Sequence, residues 1–173
     1  MIRRLVIVGT AALWVNSAFA QVPPALVAAD QAVVATYHAE GGQIYECKVG
    51  QDGKLGWIFR EPIATLLFNG KTVGRHYAGP TWELSDGSAV IGKAVANVPA
   101  ASATDIPWLK LEVVDRRGNG LLAGVSTVQR LNTHGGVLQG VCEQAGSFRS
   151  ISYSADYTFL VRDDDILTGS IRK

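Results

Sequence analysis

Three Asx-Gly pairs, Asp52-Gly53, Asn69-Gly70 and Asp86-Gly87, punctuate the first half of this chain. Such pairs accept the positive φ angles of a tight hairpin turn. Each sits between β-prone runs: residues 43–49 and 55–59 flank the first pair, 65–68 and 72–77 the second, 81–84 and 88–92 the third. Chain that reverses this often pairs each strand with its neighbour in sequence. The first half therefore reads as antiparallel sheet.

The rest continues the pattern. Residues 33–37 read as a first strand, and 108–114 and 121–131 as two later ones joined by Arg117-Gly118-Asn119-Gly120. Along 151–161, Ile151, Tyr153, Ala155, Tyr157 and Phe159 fall on one face and Ser152, Ser154, Asp156 and Thr158 on the other. That period of two marks a half-buried strand. The count is about nine or ten short strands. No amphipathic helix of ordinary length is visible, and residues 98–107, with two prolines, suit a connecting loop. Many short strands with glycine turns predict an all-β antiparallel domain, either a β-sandwich or a closed barrel. Cys47 and Cys142 are far apart in sequence and could staple two sheets, which favours a Greek-key-like sandwich.

The beginning of the chain has a different character. Met1-Ile2-Arg3-Arg4 is a basic start, an apolar run follows, and Ala18-Phe19-Ala20 forms a small-x-small cleavage site. This is the three-part form of a secretory signal peptide, and its apolar run falls short of the roughly 20 residues a membrane span needs. The expected organisation is a signal peptide at 1–20, one β domain at 21–161 and a polar tail at 162–173. Of the 16 basic residues, Arg3 and Arg4 leave with the signal, so 14 face 15 acidic ones and the net charge becomes −1. The expected product is an exported, periplasmic or secreted monomer with no membrane span. At 47% hydrophobic and 18% charged, it is too apolar for a disordered chain and too neutral to bind nucleic acid through a basic face. In an oxidising compartment Cys47 and Cys142 are expected to form a disulfide.

Signatures of common chemistries are missing: no GxGxxG, P-loop, GxSxG, HExxH or EF-hand loop occurs. No cofactor or metal is expected, since His38, His76 and His134 lie far apart in sequence. Two polar stretches stand out. In the first, His76 to Glu83, an imidazole, an aromatic platform (Trp82) and a carboxylate (Glu83) lie close together; they could perform acid–base work or stack a sugar or aromatic ligand. The bland alternative packs Trp82 under a corner and bonds Glu83 to turn amides. In the second, Arg130, Asn132 and His134 share a strand face and could hold a carboxylate or other anion. The alternative there is an internal arginine network pinning loops, with Asp156 as a partner for Arg130.

These stretches fall within a longer resemblance. Residues 42–47, 74–83, 86–88, 106–109, 129–136 and 153–159 run in the order of the DUF3455 family, a domain of unknown function, and the likeness spans roughly 22–160. The resemblance implies an exported compact domain, of a kind found in secreted proteins of bacteria and fungi. It brings no activity, catalytic residue or cofactor. The expected function is non-enzymatic binding of a small molecule, glycan or envelope component through His76, Trp82, Glu83, Arg130, Asn132 and His134. The alternatives are a structural or stress-related envelope protein, or a hydrolase using Glu83 or Asp156 as base with His76 as partner.

Overall fold

A computed structural model describes residues 21–167; the expected signal peptide and the end of the tail lie outside the described residues. Eight antiparallel strands follow one another: β1 (Gln31–Val49), β2 (Leu55–Phe68), β3 (Lys71–Tyr77), β4 (Thr81–Leu84), β5 (Ala89–Val98), β6 (Trp108–Arg117), β7 (Thr127–Gly135) and β8 (Phe148–Arg162). Each pairs with the next, and β8 returns to pair with β1, closing a barrel. The all-β expectation holds. Within it, the barrel replaces the favoured Greek-key sandwich. Closure rests on the long β1, which pairs with β8 from Gln31↔Arg162 to Glu46↔Phe148 and with β2 from His38↔Leu67 to Val49↔Leu55. Among the described residues every strand has a partner on both sides over part of its length, which reduces the hazard of an open sheet edge.

Eight strands replace ten because two pairs merge. Residues 33–37 and 43–49 belong to one strand that runs through Gly41-Gly42. Residues 55–59 and 65–68 belong to another that runs through Pro62, with Arg60 as the extra residue of a bulge. The glycines resemble a turn in sequence but serve a contact. A Cβ at Gly41 would stand 2.1 Å from the Ile63 carbonyl oxygen, so only glycine lets β1 and β2 approach there. The strand expected at 121–131 begins only at Thr127, because Leu121–Gly124 is a 3-10 turn. The three Asx-Gly turns form as expected, with φ of 75°, 73° and 82° at Gly53, Gly70 and Gly87. A short helix, α1 (Asp163–Leu167), opens the polar tail.

Strand alternation sends one face of every strand inward. On β8 the predicted face is buried from Tyr153 through Ala155, Tyr157 and Phe159 and extended by Val161, while Ile151 is only half-buried. Tyr37, Leu66, Leu84, Val90 and Val128 join it from the other strands. The β6–β7 connection adds Leu122 and Val125 to this core. Asp86 holds that connection by accepting bonds from the Leu121 N–H and from both the N–H and hydroxyl of Ser88. Outside, an N-terminal arm with a 3-10 turn at Pro24–Leu26 lies against the barrel. Gln129 donates to the Leu26 carbonyl at 2.7 Å and Lys110 to that of Val27 at 3.2 Å.

The disulfide forms between Cys47 and Cys142, with Cα atoms 5.9 Å apart. It does not join two sheets. It ties the long β7–β8 connection to the end of β1, aided by backbone bonds between Cys47 and Ser147 and between Gly146 and Cys47.

Candidate functional site

Small residues and loops leave the barrel unfilled at the end where β1–β2, β3–β4, β5–β6 and β7–β8 connect. A cavity of about 560 Å³ opens there. This lies within the usual range for small-molecule sites, and eight strands is a size at which a barrel either fills itself or holds one small ligand. Gly92 lets the wall pack closely: a Cβ there would come within 3.0 Å of the Trp82 ring and 3.2 Å of Leu111. The wall at the β5–β6 connection is fixed from β7. Thr133 donates its hydroxyl to the Ile106 carbonyl, the Gly135 N–H donates to the Asp105 carboxylate, and the Ile106 N–H donates to Gly135. Tyr45 joins this wall by donating to the Gly136 carbonyl at 2.7 Å.

Strand parity divides the first polar stretch. β3 and β4 pair His76 with Trp82 and Arg75 with Glu83. Successive side chains point to opposite faces, so His76 and Trp82 go inside while Glu83 goes outside. Trp82 stacks on His76 with ring centroids 4.5 Å apart and 10° between planes, and it meets Tyr157 edge-on at 5.2 Å. It is buried and already stacked, so it is not an open platform. Glu83 accepts from Tyr77 at 2.7 Å and from Arg75 and Arg117. The Tyr77 hydroxyl is the largest of the causes that hold its carboxyl below the usual range; desolvation, next in size, opposes it, and the two arginines add to the lowering. The carboxylate–imidazole pair does not form.

His76 is held as a neutral base. Nδ1 donates to the Thr81 carbonyl at 2.9 Å, which leaves Nε2 with its lone pair. Burial pushes its pKa down to about 3; the Thr81 bond opposes this and the Arg130 charge adds to it. Burial likewise raises the pKa of Tyr153 and of Tyr157, whose hydroxyls are 3.4 Å apart.

The second polar stretch is divided by a bulge. The β7–β8 register shifts between Leu131 and His134, and Asn132 takes a left-handed φ of 49°, a conformation asparagine tolerates. Arg130 lines the cavity, whereas Asn132 and His134 are exposed. Asn132 instead donates to Asp156 at 2.8 Å, and the other Asp156 oxygen bonds His38 Nδ1 at 2.8 Å. Asp156 is therefore not the partner of Arg130. The Arg130 guanidinium donates through Nε and Nη2 to the Pro107 carbonyl, at 3.0 and 2.8 Å.

Of the expected ligand-binding residues, His76, Trp82 and Arg130 meet at the cavity; Glu83, Asn132 and His134 lie outside it. The cavity adds Gln43, Tyr45, Phe59, Lys93 and Tyr157, which lie outside the two polar stretches. Tyr157 was legible as a buried position on β8. Gln43 was legible only as a polar residue on an alternating strand. Two donors here, Gln43 Nε2 and Trp82 Nε1, are buried without a hydrogen-bond partner. The Gln43 amide weakly favours the Tyr153 phenolate, yet no pairing between them has hydrogen-bond geometry. Leaving such a donor unmade costs about 1–3 kcal/mol. Among the described residues, no group of three or more His, Cys, Asp or Glu is placed to hold a metal ion.

The molecule is thus an eight-stranded antiparallel meander barrel whose interior cavity opens at one end. The chain belongs to the DUF3455 family, described as a protein of unknown function, whose family model matches residues 28–161. No curated protein and no solved structure matches it.

Proposed function

We propose that this is an exported, non-enzymatic binding domain that holds one small, largely apolar organic molecule inside its barrel. A 560 Å³ cavity inside the barrel carries the reading, since native interiors are close-packed and seldom keep a space of that size unfilled. The walls are mostly apolar and aromatic, including Phe59, Leu109, Leu111 and Tyr157, as in other small-molecule sites. A glycan is a poorer fit, because Trp82 presents no free face. The hydrolytic alternative loses its carboxylate–imidazole pair to strand parity. The Cys47–Cys142 bridge supports export, and among the described residues no helix is long and apolar enough to cross a membrane.

Titration of the purified protein with Nile red, a neutral apolar dye, tests this. We expect saturable one-to-one binding with blue-shifted emission. Leu109→Trp, which fills the cavity, should weaken binding at least tenfold with little change in melting temperature. Absence of saturable binding to the wild-type protein, or unchanged binding to the variant, would refute the proposal.

A further inference from the structure

Resting on that reading, we infer that the ligand is an organic carboxylate, an apolar body carrying one anionic head, with Arg130 as its anchor. Three cations line the cavity, Arg60, Lys93 and Arg130, and no aspartate or glutamate does. Arg60 is engaged elsewhere: its Nε pairs with Glu61 at 3.1 Å and its guanidinium lies over the Phe148 ring. Arg130 and Lys93 form no ion pair among the described residues. Arg130 spends Nε and Nη2 on the Pro107 carbonyl and its guanidinium also acts on the Tyr157 hydroxyl, both of them neutral partners.

The cavity therefore holds a surplus of positive charge inside mostly apolar walls. An oxygen-bearing anion matches it, and the fork of a guanidinium suits a carboxylate in particular. A cationic ligand would find no counter-charge. A neutral ligand would leave the cations without one.

Calorimetric titration of the purified protein at pH 7.5 with 4-phenylbutyrate, its methyl ester and 4-phenylbutylamine tests the inference. The acid should bind at least tenfold more tightly than the ester, and the amine more weakly than either. Arg130→Met should erase the preference for acid over ester, and Arg130→Lys should restore part of it. If Arg130→Met does not fold, Lys93→Met serves in its place and should lower the preference severalfold. An acid that binds no better than its ester overturns the carboxylate inference while Nile red binding keeps the barrel reading. An acid preference that survives Arg130→Met overturns the role of Arg130. Failure of the wild-type protein to bind both Nile red and the acid removes the barrel reading and this inference together.

Discussion

Lowering the pH from 7.5 to 5.0 should destabilise this protein by about 2 kcal/mol through His76 alone. The ring is almost fully buried, Nδ1 is committed to the Thr81 carbonyl, and the Arg130 charge acts against a second proton. Its pKa falls from 6.5 to about 3. In the unfolded chain the imidazole titrates near 6.5, so between the two values the unfolded state binds a proton that the folded state refuses. Stability is then lost as pH falls, by about 1.4 kcal/mol per unit once below 6.5. The loss reaches about 2 kcal/mol at pH 5 and about 5 kcal/mol below pH 3, where it levels off. Glu83 and Asp86 add losses of the same sign, because their folded pKa values are also lowered. Those begin only near and below the ordinary carboxylate range, so pH 5–7.5 isolates the histidine. Urea unfolding of the wild-type protein and His76→Asn at both pH values measures the effect. The asparagine amide nitrogen stands where Nδ1 does, so it can still donate to Thr81, and it cannot titrate. The wild type should lose about 2 kcal/mol more than the variant between pH 7.5 and 5.0. Parallel losses in the two proteins would refute a neutral, buried His76.

The remaining expectations concern the frame. Replacing Cys47 and Cys142 by serine frees a 95-residue loop and should cost up to about 4–5 kcal/mol on loop entropy; the fall in urea midpoint, and early proteolysis in the β7–β8 connection, check this. Gly41→Ala drives a Cβ into the Ile63 carbonyl and should cost about 3 kcal/mol or more. Gly56→Ala, whose Cβ meets nothing within 4 Å, should stay within about 0.5 kcal/mol in the same unfolding assay. Glu83→Gln breaks an outer-surface cluster and should cost less than about 1 kcal/mol; Nile red affinity should stay within twofold, and a larger change would place Glu83 in the binding site after all.

Local chemistry made much of the fold legible. The Asx-Gly turns fell where expected because the glycine of each pair takes the positive φ its turn needs, a preference set by local residue identity. The buried face of β8 was read from period two alone. What failed was continuity. Gly41-Gly42 and Pro62 look like breaks, yet β1 and β2 run through them, because a close interstrand contact uses the same residue as a turn and a bulge at Arg60 eases the strand around proline. The candidate site failed where residues adjacent in sequence were assumed to be adjacent in space. His76 and Glu83 sit on opposite faces of paired strands, and one left-handed residue, Asn132, separates Arg130 from its sequence neighbours.

From the sequence alone came the β class, the turns, the cysteine pair and the family resemblance, all of them set by short-range chemistry or by residue identity. Tertiary structure decided that the sheet closes, that a cavity remains inside it, and that Gln43, His76, Trp82 and Arg130 from four different strands face it together. Those outcomes depend on strand register and on which face of each strand turns inward. A shift of one residue reverses every side chain on a strand, and only the pairing of all eight strands sets that choice.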